Sequence, residues 1–316
     1  MQEIGGYIEL DQYNLPMLHE DAVAFNCGRN CLAYLIRAKK IRKIALPYFL
    51  CDSVRNVCQK EKVHVRYYCI DKNFVPYNLQ LDSDEWLYLV NYYGQLSPGL
   101  IESLIGQYQR VILDHAQAYF EPPVEGIDTI YTCRKFFGVP DGAFLYTDSL
   151  IDEEFEIDES FERMHFLLGR FERSASEFYK EYAANNQVFA SVPVRKMSNL
   201  TLNLLHGIDY ENIKKIRSEN YNYLYEQFWD INRLEVRKIE GAFAYPLWIK
   251  NGYAIRKKLI DSNIYIPTLW PNVLQDVDEN SMEYDFAKNI LPIPVDQRYT
   301  IKVMEYLVEE IKKCID

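Results

Sequence analysis

An α/β fold with a mostly parallel sheet flanked by helices, followed by a small α+β unit, is expected from three features of this sequence. Short β-rich runs alternate with helical patterns between residues 42 and 148, which is how strand, crossover helix and strand are written. The stretch 161–229 is helical and polar, and beyond it a mixed strand and helix pattern returns. The chain has 316 residues and is 48% hydrophobic, enough for two cores. The expected division is a large domain over 1–230, including the helical region 161–229, and a small C-terminal α+β domain over 231–316.

The elements are justified in chain order. A helix over 29–40 follows Gly28 and turns Leu32, Leu35 and Ile36 inward. A strand is expected at 43–47, then a helix from Asp52 bearing Val54, Val57 and Cys58, then strands at 63–70 and 86–91. The stretch 98–109 opens on Pro98 and places Leu100, Ile101, Leu104, Ile105 and Tyr108 on one helical face. Strands follow at 110–113, 127–132 and 143–147. Phe171, Phe178, Tyr179 and Tyr182 recur at helical spacings, and a long helix covers 210–229. Strands are expected at 234–239 and 243–249, a helix at 253–261, and a terminal helix at 300–314. The last gathers Met304, Leu307, Val308 and Ile311 on one face and ends on Lys312 and Lys313, suited to its dipole.

Composition removes several function classes. Lys and Arg total 35 against 46 for Asp and Glu, a net charge of −11 that disfavours a general nucleic-acid binder. Asp152, Glu153, Glu154, Glu156, Asp158, Glu159 and Glu162 concentrate that excess in one stretch. Only 13 glycines are present; no G-x-G-x-x-G occurs, and the Gly94 to Gly99 spacing continues into Leu100 and Ile101, not a P-loop Lys. Cysteines at 27, 31, 51, 58, 69, 133 and 314 form an odd set without C-x-x-C, as expected of reduced, packed thiols in a cytoplasmic protein. No metal site is expected, and no apolar run approaches the ~20 residues that span a bilayer.

Open α/β sheets bind ligands at the carboxyl ends of their strands, so polar residues that end β-rich runs are the candidate site. Asn91, Asp114 and Lys135 stand in such places. A strand-end carboxylate and a strand-end lysine answer the needs of pyridoxal 5′-phosphate: an amine to form a Schiff base with its aldehyde and an acid to keep its ring nitrogen protonated. Gly28 opens a helix whose free N–H groups and dipole suit a phosphate, with Arg29 and Asn30 as further donors. Taken singly, each has a bland reading: a solvated Lys beside an Arg, a turn-forming Asp, a plain helix start. His115 beside the acid reads more readily as a packing residue than as an acid–base catalyst.

The runs Asn26-Cys27-Gly28-Arg29-Asn30-Cys31-Leu32, Leu46-Pro47-Tyr48 with Cys51, Asn91-Tyr92-Tyr93-Gly94, Asp114-His115-Ala116-Gln117-Ala118 and Arg134-Lys135-Phe136-Phe137-Gly138-Val139-Pro140-Asp141-Gly142 occur in one order. In that order the chain resembles the DegT-type sugar aminotransferases, pyridoxal phosphate enzymes of fold type I. The resemblance implies that Lys135 carries the Schiff base and Asp114 pairs with the pyridine nitrogen. It also implies that Gln117 lies near the cofactor's phenolic oxygen or the substrate, that Gly28, Arg29, Asn30 and Thr132 hold the phosphate, and that Asn91 adds a contact. The family's ring-stacking aromatic falls at Cys51, with Phe49 and Tyr48 nearby. Where the family continues Thr-x-Gly-Glu-Gly-Gly, this chain has the shorter Gly138 to Gly142 run. The family's Asn-x-Arg from a neighbouring subunit is matched by Val194-Arg195-Lys196, so Arg195 or Lys196 stands in for it. The resemblance further implies a homodimer, glutamate as amino donor, a keto sugar nucleotide as acceptor and a place in surface polysaccharide synthesis. A non-catalytic relative with a regulatory or scaffold role, and an unrelated doubly wound sugar-nucleotide binder, are the alternatives.

Overall fold

The computed structural model describes residues 4–315. Its main sheet has seven strands in the order β1-β7-β6-β5-β4-β2-β3. These are β1 (Val23–Phe25), β2 (Lys43–Pro47), β3 (His64–Tyr68), β4 (Trp86–Val90), β5 (Val111–Asp114), β6 (Asp128–Thr132) and β7 (Ala143–Tyr146). Strands β3, β2, β4, β5 and β6 pair in parallel, whereas β7 pairs antiparallel with both β6 and β1. All but β7 therefore run the same way. Leu87, Leu89, Ile112, Leu113 and Ile130 are buried, the two-faced burial of a sheet covered by helices.

Crossover helices α1 (Gly28–Ala38), α2 (Asp52–Lys60) and α3 (Pro98–Tyr108) fall where the periodicity places them. Ser97 caps α3, its hydroxyl accepting from the Leu100 N–H at 3.3 Å, with Pro98 at the first helical position. The helical region contains α4 (His165–Glu172), α5 (Tyr179–Ser191), α6 (Asn199–Leu205) and α7 (Tyr210–Phe228). Beyond α7 come β8 (Ala244–Trp248), α8 (Gly252–Leu259), α9 (Val273–Asp276), α10 (Met282–Asn289), β9 (Ile290–Pro294) and α11 (Ile301–Ile315). Strands β8 and β9 form a separate antiparallel pair. Tyr221, Leu224 and Phe228 of α7 join Met304, Leu307, Val308 and Ile311 of α11 in the core around that pair.

One expected strand is absent. Residues 234–239 form neither helix nor strand. Side chains take the backbone groups a ladder would use: the Leu234 N–H donates to Asn232 Oδ1 at 3.1 Å and the Arg237 N–H to Gln95 Oε1 at 2.7 Å. Arg237 also donates to the Gly94 carbonyl at 2.7 Å, strapping the segment to the edge of the main sheet. Strands β1 and β9 and helices α9 and α10 lie outside the expected set.

Candidate active site

The chain order places a switch point between β2 and β4. After β2 the sheet grows outward through β3, and after β4 it grows the other way through β5 and β6. Loops on the carboxyl side of the two central strands diverge there and leave a crevice, the usual ligand position in an open α/β sheet. Five segments meet along this edge: Asn26 to Gly28 after β1, Tyr48 to Cys51 after β2, Asn91 after β4, Asp114 at the end of β5, and Thr132 to Lys135 after β6.

Lys135 sits in a tight turn, where the N–H groups of Phe136 and Phe137 both donate to the Cys133 carbonyl at 2.9 Å. The surrounding loop is closed at its base. The Cys133 N–H reaches the Gly142 carbonyl at 3.1 Å, and the Gly142 N–H reaches the Asn26 carbonyl at 2.6 Å. Gly142 has φ +115, a conformation that side chains with a Cβ rarely adopt, and a Cβ there would also press on Cys133 and Thr201 at 3.1 Å. The Lys135 side chain is reached by solvent, yet protein crowds its amine on the remaining sides. Burial holds its ammonium below the ordinary lysine range, the Asp114 and Cys51 charges oppose that, and Arg134 adds to it. The side chain is open to solvent while its amine stands 5.9 Å from the centre of the Phe243 ring.

Asp114 is buried, and both its oxygens are held. Oδ1 accepts from the Ala116 N–H at 2.7 Å and Oδ2 from the Tyr88 hydroxyl at 2.9 Å. Gly28 begins α1 against Thr132: a Cβ at Gly28 would stand 2.9 Å from Thr132 Cγ2. Only glycine lets the first turn of α1 sit this close to β6, so its unpaired N–H groups open onto the same edge. The Thr132 hydroxyl donates to the Ala116 carbonyl at 3.3 Å.

Arg29 and Arg134 converge beside this helix start. Both donate to Asn186, Arg29 to its carbonyl at 3.3 Å and Arg134 to its side-chain oxygen, and both guanidinium groups lie over the Phe189 ring, at 5.8 and 4.9 Å. Neither has a carboxylate within 4 Å among the described residues. Two arginines without acids at a helix N-terminus make an anion-attracting corner.

The other expected contacts divide. Cys51 is half-buried, close enough to Lys135 for its charge to be felt there, and its thiol lies 3.1 Å from the Ser53 hydroxyl. Phe49 is instead in the core among Tyr92, Trp270 and Phe286, and Tyr48 stacks on Tyr67 at 5.1 Å. The Asn30 side chain donates to Asn26 Oδ1 at 2.6 Å and the Pro193 carbonyl at 3.3 Å. Asn91 is fully buried, accepting from the Leu96 N–H at 2.9 Å. Gln117 Oε1 accepts from the Tyr93 N–H at 2.7 Å, so this side chain shapes the 92–95 turn. Arg195 pairs with Asp158 and Glu156, at 3.4 and 3.2 Å. His115 is buried between Asn91 and the Tyr131 hydroxyl, and burial lowers it to about 3, which makes it a neutral packing residue. Tyr88 and Phe243, whose ring lies 5.9 Å from Lys135 Nζ, were not expected at the site. They come from a strand interior and from a distant segment, without a local motif.

This sheet and its flanking helices have the fold of solved sugar aminotransferase structures. No protein-family model matches the sequence, and no curated protein matches it. Among solved structures, the sugar aminotransferase CalS13 from Micromonospora echinospora is similar at a TM-score of 0.62 and 14% identity, over 92% of this chain and 87% of that one. NtdA from Bacillus subtilis, with bound PMP, aligns at a TM-score of 0.66 and 13% identity, over 96% of this chain and 78% of that one. The E. coli GDP-4-keto-6-deoxy-D-mannose-3-dehydratase with bound hydrated PLP aligns at a TM-score of 0.60 and 16% identity, over 92% and 87%.

Proposed function

We propose that this protein is a pyridoxal phosphate-dependent aminotransferase that moves an amino group from an amino acid, expected to be glutamate, to a keto sugar nucleotide. The observation that carries the reading is the meeting of a crowded lysine, a fixed carboxylate and a helix start on one sheet edge. The sugar-modifying enzymes that share the fold support the substrate class. We further propose a cytoplasmic homodimer acting in surface polysaccharide synthesis; no helix of the described residues is long and apolar enough to cross a membrane.

The residues fit the cofactor. The tight approach of Gly28 to Thr132 keeps the start of α1 open for a phosphate, and Arg29 and Arg134 add positive charge beside it. Pyridoxal phosphate supplies an aldehyde that bonds to amines and a ring that draws electrons from the adjacent carbon. Lys135, biased toward the neutral amine, would be the residue that holds that aldehyde, and its Nζ would supply the base at the site. Asp114 would be the acidic partner of the ring nitrogen, and the Tyr88 hydroxyl and Ala116 N–H hold its orientation. Gly28 and Thr132 would hold the phosphate at the start of α1.

The test is reconstitution of the purified protein with pyridoxal phosphate. A visible absorption band is expected that Lys135→Ala abolishes, with borohydride fixing the adduct on Lys135. Added glutamate should then bleach the band, and a panel of keto sugar nucleotides should restore it. Absence of both band and adduct sinks the reading. A stable band that glutamate leaves unchanged identifies a non-catalytic relative.

A further inference from the structure

The largest fully buried side chain is Arg217, on α7, only 1% exposed. No carboxylate lies within 4 Å of its guanidinium among the described residues, and its neighbour Asp296 is paired with Arg298 at 2.6 Å. A buried charge without an acid is costly unless each donor is satisfied. Here all three nitrogens are used. Nη2 donates to the Phe136 carbonyl at 3.0 Å, Nη1 to the Ala242 carbonyl at 2.8 Å, and Nε to Gln297 Oε1 at 2.9 Å. Gln297 Nε2 in turn donates to the same Phe136 carbonyl at 2.9 Å. The guanidinium also covers the Phe136 ring at 4.8 Å.

Both carbonyls belong to residues next to the lysine site. Phe136 follows Lys135 in the chain, and Ala242 precedes Phe243, whose ring faces the Lys135 amine at 5.9 Å. One guanidinium therefore ties the lysine turn to the aromatic wall opposite it, and both to α7. The Gly241 N–H, bonded to Ser218 Oγ at 2.9 Å, fastens the same wall to the same helix.

We propose that Arg217 is a positioning residue for Lys135, with Gln297 as its accessory: it fixes the peptide after the lysine and the Phe243 wall, so that the amine is held against that wall. The inference rests on the proposed role of Lys135. A released turn lets the amine leave the wall and the protein groups around it, and its ordinary basicity returns.

The experiment uses the full-length protein without added cofactor. Acetic anhydride is applied across a pH series, and acetylation of Lys135 is followed by peptide mass spectrometry, alongside the thermal unfolding midpoint. In Arg217→Lys and Arg217→Met the pH midpoint of Lys135 acetylation should rise toward that of an ordinary lysine, because desolvation is what depresses it. Gln297→Leu, which keeps the guanidinium, should give a smaller rise. Folded variants with a lowered thermal midpoint but the wild-type Lys135 midpoint would reduce Arg217 to a structural residue and overturn the proposal. If Arg217→Met does not fold, Arg217→Lys and Gln297→Leu decide it by the same readout. Failure of the wild-type protein to develop a visible band with pyridoxal phosphate would refute the aminotransferase reading while leaving this comparison intact.

Discussion

Gly28 concentrates the residue-scale argument, because a single methyl group there meets Thr132 Cγ2 at 2.9 Å. Gly28→Ala is expected to cost about 1–3 kcal/mol in overpacking and to weaken pyridoxal phosphate binding roughly tenfold or more in a fluorescence titration, since 1.4 kcal/mol is a factor of ten. Adding Thr132→Ser removes the opposing methyl and should restore most of the affinity; no recovery would mean that the α1 start does not hold the phosphate. A second residue-scale expectation concerns His19 and His115. Burial lowers them to about 4 and about 3, with the Tyr119 carbonyl partly opposing the shift at His19. The unfolded chain takes up these protons below about pH 6.5 while the folded chain does not, so stability is complete above that pH and is lost as pH falls. Between pH 7 and 5.5 each histidine should remove about 1 kcal/mol, and His115→Gln should cut the loss measured by urea unfolding correspondingly. Asp128 and Asp141, whose carboxyls burial pushes up, act in the opposite sense.

At the scale of elements, the lysine loop is fastened at its far end by Asp141. Its carboxylate accepts from the Ser198 N–H at 2.9 Å, the Ser198 hydroxyl at 2.8 Å and the Thr201 hydroxyl, at the N-terminus of α6. Asp141→Asn turns one acceptor into a donor facing the Ser198 N–H; a loss of about 2–3 kcal/mol is expected by denaturant titration, and a loss below roughly 0.5 kcal/mol would show the anchor to be dispensable. This bond network joins Asp141 to residues 57 and 60 positions away and was invisible in the sequence. Strands with apolar runs such as Trp86 to Val90 were legible because burial on both faces is written locally. The antiparallel β9 was not, since Pro292 and Pro294 interrupt its signal and Pro292 pairs with Pro246 across β8. The expected strand at 234–239 had the right residue types, but its backbone partners are the side chains of Asn232 and Gln95. Asp114, Lys135 and Gly28 were readable because strand ends and helix starts announce themselves. Arg217, Gln297 and Phe243 were not, because their relation to Lys135 exists only after α7 and the following segment fold back.

At the scale of the whole molecule, the surface carries apolar groups that an isolated chain has no use for. Residues 4–16 form neither helix nor strand and are exposed throughout, and within them Ile4, Tyr7 and Ile8 are 98%, 97% and 93% exposed. The segment is nevertheless tethered at its base, where the Tyr13 N–H donates to Asn203 Oδ1 at 2.9 Å and the Leu15 N–H to the His206 carbonyl at 3.0 Å. A second group stands on the helical region, with Phe171 91%, Phe161 67% and Tyr179 65% exposed. Single exposed apolar residues are ordinary, but several large ones in one short segment or helical region suit an association surface. The α4–α5 face adjoins the Arg29, Arg134 and Phe189 corner, so a second copy docked there would close the anion-attracting side of the site. Sedimentation equilibrium should accordingly find a dimer. Phe171→Glu, and separately Tyr7→Ser with Ile8→Ser, should shift it toward monomer without changing the thermal midpoint of the monomer core. If the dimer dissociates and pyridoxal phosphate affinity falls together with it, the partner supports the phosphate corner. A wild-type chain that sediments as a monomer at all accessible concentrations would instead leave these surfaces without a self-association role.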